Sequence, residues 1–384
     1  MTLAPSNSVP ADSAAARQYN RVKRWLEFSD LAVGIVLLLL LLITGWSGRL
    51  RDIAYAGARQ HYSAAVVAYV FLLLALSKLL GLGFDYYGFQ LERRFHLSDQ
   101  RLRSWLWDQV KSFLVGFVLA AIVAEILYYT IRVSPENWWL LAWVTFLALF
   151  VLMAQIAPVV MFPIFYKFSP LENEDLKDRL VKLSERAGTR VRGVYEWKLS
   201  EKSNKANAAL TGLGNTRRII LADTLLEKYS ADEIEAVLAH ELGHHVHRHI
   251  LKSIGVEALV TFAGFWLAAQ VLHYSVDHWR WFVSLSDFAG LPLLVLVASA
   301  MSLLLTPVLN AWSRHNERQA DQYCFQSIRS VKPFITAMNK LAEQNLAERT
   351  PSKWVEILFH SHPSIAKRLA AAEAWKASAP KSAR

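Results

Sequence analysis

Six long, nearly uncharged apolar runs, at residues 31–46, 63–84, 113–131, 138–165, 254–272 and 285–311, decide what this chain can fold into. About 20 apolar residues in a helix cross the roughly 30 Å of bilayer hydrocarbon, where only structures that pair every backbone group internally survive. The hydrophobic share of 54% and the positive mean hydropathy agree with a polytopic helical membrane protein. Pro158 and Pro163 predict a kink or an early exit at the end of the fourth run. The first run has the length of a signal-peptide core. It is read as a retained anchor, because a long polar leader precedes it, no small-residue cleavage site follows, and Trp46 suits an interface.

Basic residues near the spans set the expected orientation. Arg17, Arg21, Lys23 and Arg24 lie in the leader, and Arg93, Arg94, Arg101, Arg103 and Lys111 lie between the second and third runs. The opposite loops hold Arg49, Arg51 and Arg59, then Arg132 and Arg280. Both termini and the block at 167–252 are therefore expected to face the cytoplasm. The net charge of +10 is spread over membrane-flanking loops without a nucleic-acid motif, so membrane lipids rather than nucleic acid are the expected basic-surface partner. Cys324 is the only cysteine, which excludes an internal disulfide and a cysteine-ligated cluster, and any metal must be held by nitrogen and oxygen.

Between the fourth and fifth runs stands His240-Glu241-Leu242-Gly243-His244. Residues 231–239 before it are good helix formers without proline. Histidines four apart share one helix face and can hold one Zn²⁺, and a glutamate after the first can reach the water such an ion activates. Three protein ligands and one open position make a catalytic zinc site, so a third donor is needed from elsewhere. Glu317 is the best candidate, just past the last run in Ser313-Arg314-His315-Asn316-Glu317-Arg318-Gln319-Ala320-Asp321. Asp321, one turn on, suits a hydrogen bond from a ligand histidine, whereas His315 points to another face. A transporter with a structural zinc is the competing class, but a closed structural site needs four protein ligands and only three present themselves.

The fold expected is mostly α: a polytopic membrane bundle with a small α+β, zincin-like metallopeptidase domain. Residues 1–28 are expected to be a disordered cytoplasmic leader, 29–168 an N-terminal membrane domain of four spans, and 169–252 a cytoplasmic catalytic part. Residues 253–312 supply two further spans, and 313–384 a cytoplasmic part with the third ligand. Helices are expected over 171–187, 314–329, 331–347 and 364–376, and strands over 191–197 and 218–222, with a glycine-bearing turn at 211–216. Lys78, Glu125 and Glu257 fall inside spans and suggest a watered interior.

These residues resemble the integral-membrane CAAX prenyl proteases, zinc endopeptidases that cleave after a prenylated cysteine, in a prokaryotic-type form with six spans. The likeness rests on the zinc box together with Asn207-Ala208, Arg217 to Leu226, Ser313-Arg314, Glu317, Ala320-Asp321, Ser361-His362-Pro363, Arg368, Leu91 to Phe95, and Trp105 to Asp108. It implies one Zn²⁺ per chain on His240, His244 and Glu317, with Glu241 as base and His362 as a donor to the developing oxyanion. It further implies that Arg368 braces Asp321, and that Asn207, Ala208 and Ala209 offer an edge strand to a peptide or lipidated protein substrate. Membrane-bound heat-shock zinc proteases carry a similar zinc box, so quality control of membrane proteins is the alternative within the same chemistry.

Overall fold

In a computed structural model, described here for residues 12–212 and 217–378, the chain is an integral, multi-pass helical membrane protein with a small sheet on one side. Six helical segments are long and apolar enough to span: α1 (Ala14–Ile43), α3 (Tyr62–Arg94), α4 (Leu102–Val133), the segment Trp138–Phe165, α10 (His249–Asp277) and α11 (Leu291–Ser327). The fourth comprises α5 (Trp138–Ile156), a π turn at Ala157–Met161 and α6 (Phe162–Phe165). Pro158 has no N–H to give the α ladder, and the chain answers with a π turn rather than a break. Among the described residues a twelve-residue helix, α2 (Trp46–Gly57), is unannounced by the hydropathy pattern; Gly45, at φ 73°, makes the turn before it.

Two expectations are corrected. The leader is helical from Ala14, not disordered to residue 28. Ser13 caps it by accepting from Ala16 N–H, Tyr19 is buried, and the Asn20 amide donates to the Leu346 carbonyl at 2.6 Å. Arg24 pairs with Glu348 at 2.6 Å. Tertiary contacts, not local periodicity, order this helix. The segment 314–329 is no separate helix but the end of α11, because an α-helical hydrogen-bond ladder continues through a change from apolar to polar side chains.

The membrane core gathers at one end around Phe288, whose ring lies 5.0 Å from Tyr55, 5.7 Å from Tyr62 and 5.3 Å from Tyr69. Arg51 and Asp287 pair there at 2.5 Å. Nearer the other end, Lys78 donates to Asp85 and Gln109, each at 2.6 Å; Glu125, on the Phe288 side one turn before Tyr128, has one buried oxygen with no partner among the described residues.

On the far side from Phe288 lies the second core. Four strands, β1 (Phe168–Pro170), β2 (Val194–Trp197), β3 (Ala208–Thr211) and β4 (Arg218–Ala222), form a sheet in the order β1-β2-β4-β3. The β2–β4 pair is parallel and the others antiparallel. Residues 213–216 of the expected turn lie outside the described residues. Against the sheet and one another pack α7 (Glu174–Arg186), α8 (Asp223–Lys228), α9 (Ala231–Val246), α12 (Lys332–Gln344) and α14 (Ile365–Ser378), around Leu180, Leu221, Leu225, Ala239 and Phe334, while α13 (Lys353–Phe359) packs on α11. The leader joins the two halves: Tyr19 donates to Glu92, which also accepts from Lys205 at 2.8 Å just before β3.

Candidate metal centre

Helix α9 opens with a capping box, Ser230 and Glu233 each satisfying the other's backbone N–H, so the register of everything after it is fixed from the first turn. Its small face then meets α11. A Cβ on Gly243 would lie 2.8 Å from Ala320 Cα and 3.0 Å from the Ala320 carbonyl, and the Cys324 thiol donates to the Ala236 carbonyl at 3.2 Å. Only glycine permits this crossing. The close approach carries the next turn of each helix into one site.

There His240 and His244 turn their Nε2 atoms toward one another, 3.3 Å apart. Glu317 approaches both, its Oε2 at 3.2 Å from His240 Nε2 and its Oε1 at 3.2 Å from His244 Nε2. Each residue offers one ligand atom, and these lie within 4.8 Å of one another. Glu317 Oε2 is buried and, among the described residues, receives no well-aligned hydrogen bond, His240 Nε2 at 3.2 Å meeting it as a charge partner when protonated. A buried carboxylate oxygen costs free energy unless something positive meets it, and a divalent ion between two imidazoles and this oxygen would do so. Donor number, type and spacing fit a metal ion with one side left open.

Behind the donors stand supporting groups. His240 Nδ1 lies 2.9 Å from Asp321 Oδ1, and Arg368 forks onto the same carboxylate at 2.6 and 2.9 Å, all three residues buried. Burial disfavours a charged His240, but Asp321 and Glu317 outweigh it and the imidazole is pushed up to about 9 without a metal. Burial likewise raises the Glu241 carboxyl above its ordinary range, against the pull of His240 and His244, which favours a carboxyl able to take up a proton. His362, exposed, reaches Glu317 Oε1 at 3.3 Å with its Nε2, and its Nδ1 lies 3.0 Å from the Ser361 hydroxyl. His315 is exposed and lies beside Trp312 instead.

Strand β3 packs on α9 as the sheet's edge. Ala222 N–H donates to the Asn207 carbonyl at 3.0 Å, and the register sets Ala209 opposite Ile220. Antiparallel pairing alternates, so Asn207 and Ala209 face β4 while Ala208 and Leu210 turn their backbone groups to the open edge. Of the three expected strand residues Ala208 thus turns its backbone groups away from β4, and Leu210, which does the same, was overlooked. His249 and Gln319 were also overlooked as neighbours of the donors: His249 Nδ1 lies 3.0 Å from His244 Nδ1. The histidine-rich stretch hinted at it, but a left-handed Arg248, at φ 56°, is what folds His249 back, and spacing alone does not show that.

Comparison with known proteins gives a consistent result. Residues 170–376 match Peptidase family M48, and residues 7–167 match the family described as CAAX prenyl protease N-terminal, five membrane helices. Within the described part of that second stretch stand four of the spans and the short α2. The chain is 33% identical over 367 residues to the uncharacterized metalloprotease YhfN of Bacillus subtilis, covering 95% of this chain and 86% of that one. It is 30% identical over 329 residues to CAAX prenyl protease 1 of Saccharomyces cerevisiae, covering 80% and 72%. The crystal structure of S. mikatae Ste24p superposes with a TM-score of 0.85 at 25% identity, covering 97% of this chain and 92% of that one.

Proposed function

Since the chain belongs to peptidase family M48 and is an integral-membrane metalloprotease, we propose that it is a zinc endopeptidase acting at the cytoplasmic face on prenylated or membrane-associated peptides. The observation that carries this reading is the convergence of one ligand atom each from His240, His244 and the buried Glu317 within 4.8 Å, with Glu241 beside them. In this reading those three residues hold one Zn²⁺. When bound, the ion supplies Lewis acidity toward the scissile carbonyl and toward water.

The protein's own groups do the rest. Glu241 accepts the proton of the attacking water and delivers it to the leaving amine, a task its raised affinity for protons suits. With the Ser361 hydroxyl, 3.0 Å away, donating to His362 Nδ1, the proton of a neutral ring sits on Nε2, the atom already turned to the site. That N–H donates to the developing oxyanion. Ala208 and Leu210 take an extended peptide as an added strand, by backbone alone, so selectivity must come from elsewhere. The match of residues 7–167 to the membrane domain of CAAX prenyl proteases supports a prenyl group as the discriminating element over general quality control. The basic leader and the loop before α4 lie on the site's side of the molecule, which supports a cytoplasmic site.

The test uses full-length wild type and Glu241→Gln, zinc measured in each, incubated with a farnesylated peptide and its unprenylated twin. Zinc in both proteins, cleavage by the wild type of the farnesylated peptide first, and a loss of about 10²–10⁴ in rate for Glu241→Gln support the reading. Equal cleavage of both peptides contradicts prenyl recognition. Undiminished cleavage by Glu241→Gln contradicts the base.

A further inference from the structure

The two candidate histidine ligands are held from behind by different chemistry. His240 leans on a carboxylate, Asp321. His244 leans on neutral groups: its Nδ1 lies 3.0 Å from His249 Nδ1, and His249 Nε2 lies 2.9 Å from Gln319 Oε1. We infer that His249 and Gln319 are positioning residues that fix the tautomer and ring plane of His244 through a one-way chain of hydrogen bonds. The inference rests on the metal reading given above.

Direction follows from the atoms. His244 Nε2 faces His240 Nε2 and Glu317, so its lone pair belongs to the metal and the proton of the neutral ring sits on Nδ1. That N–H meets His249 Nδ1, which must accept, so the proton of His249 sits on Nε2. The Nε2–H in turn donates to Gln319 Oε1, an atom that can only accept. No other arrangement of neutral rings satisfies both contacts while leaving His244 Nε2 free. Each link is supplied by a different element: His244 by α9, Gln319 by α11 two residues past Glu317, and His249 by α10, as its first residue.

Local backbone geometry is consistent with the assignment. Arg248 adopts φ 56°, ψ 36°, uncommon for a residue with a Cβ, and this turn swings His249 back under α9, where it is buried. An ordinary helix start would not need that conformation. The fifth membrane span is thereby tied directly to a metal ligand.

The experiment uses the full chain in detergent, with Zn²⁺ affinity measured by chelator competition and the visible spectrum recorded for Co²⁺-loaded protein. Metal-free forms are melted alongside. His249→Phe keeps a ring of similar size and Gln319→Leu keeps the volume, but each breaks the chain; Gln319→Glu keeps the acceptor. The expected result is affinity lower by about 10–100-fold in the first two with an altered Co²⁺ spectrum, and wild-type or tighter affinity in Gln319→Glu. If the first two bind within about twofold of wild type, or if Gln319→Glu falls as far as Gln319→Leu, the chain is overturned. A wild type that takes up no metal fails the metal reading itself, whereas a loaded wild type with indifferent variants fails the chain alone.

Discussion

Two imidazoles and a carboxylate share a space too small for three unsatisfied groups without a positive charge among them. In the metal-free protein a proton plays that part: against the cost of burial, Asp321 and Glu317 push the His240 imidazole up to about 9, from about 6.5 for a free histidine. The sign follows. A raised folded value adds stability that is fully present below about 6.5 and is lost as pH rises through about 9. Metal uptake must displace the same proton, so apparent affinity should climb by up to about tenfold per pH unit from neutrality toward about 9 and then level off. Chelator competition across that range checks it, and a flat profile contradicts the protonated His240. Glu317→Ala should abolish stoichiometric metal binding, read by elemental analysis of purified protein. Arg368→Met leaves the Asp321 charge buried beside His240, and a destabilisation of about 3–5 kcal/mol, seen as a lowered Tm of the metal-free form, is expected.

Between elements, the site is made by one helix crossing. Gly243→Ala would drive a methyl into the Ala320 backbone, so α9 and α11 must separate. Overpacking of this kind costs about 1–3 kcal/mol, and metal affinity should fall with Tm, because the same separation pulls Glu317 from the histidines. An unchanged Tm with unchanged affinity contradicts the crossing as drawn. The helix carrying His240 and His244 on one face, the strand at 218–222 and helix α12 could be read in advance, since each follows a strong local rule of spacing, β-branching or amphipathic period. Helix α13 could not, being two turns long and held by partners such as the Arg314 guanidinium, which donates to the carbonyls of Glu356 and His360, and α2 could not because its glycines and arginines read as a loop between spans. Nor could the continuity of α11, since a switch from apolar to charged residues marks the edge of a membrane and not the end of a helix.

Taken whole, the molecule couples a membrane bundle to its soluble half by α10, α11 and the leader helix. The six spans were legible because hydrocarbon tolerates so few alternatives. The leader's docking was not, because it depends on Tyr19, Glu92 and Lys205, residues far apart in the chain that meet only in the fold. Glu92→Ala frees Lys205 ahead of the edge strand and should raise KM for peptide by roughly tenfold, about 1.4 kcal/mol, with kcat little changed. An unaltered KM would detach the leader from substrate binding. The account as a whole stands on a metal ion held between α9 and α11. Anomalous X-ray diffraction at the zinc edge, from crystals of the full-length protein, tests it most directly: one peak about 2.0–2.2 Å from His240 Nε2, His244 Nε2 and a Glu317 oxygen is the result expected, and a peak elsewhere, or none in protein shown to contain zinc, would contradict it.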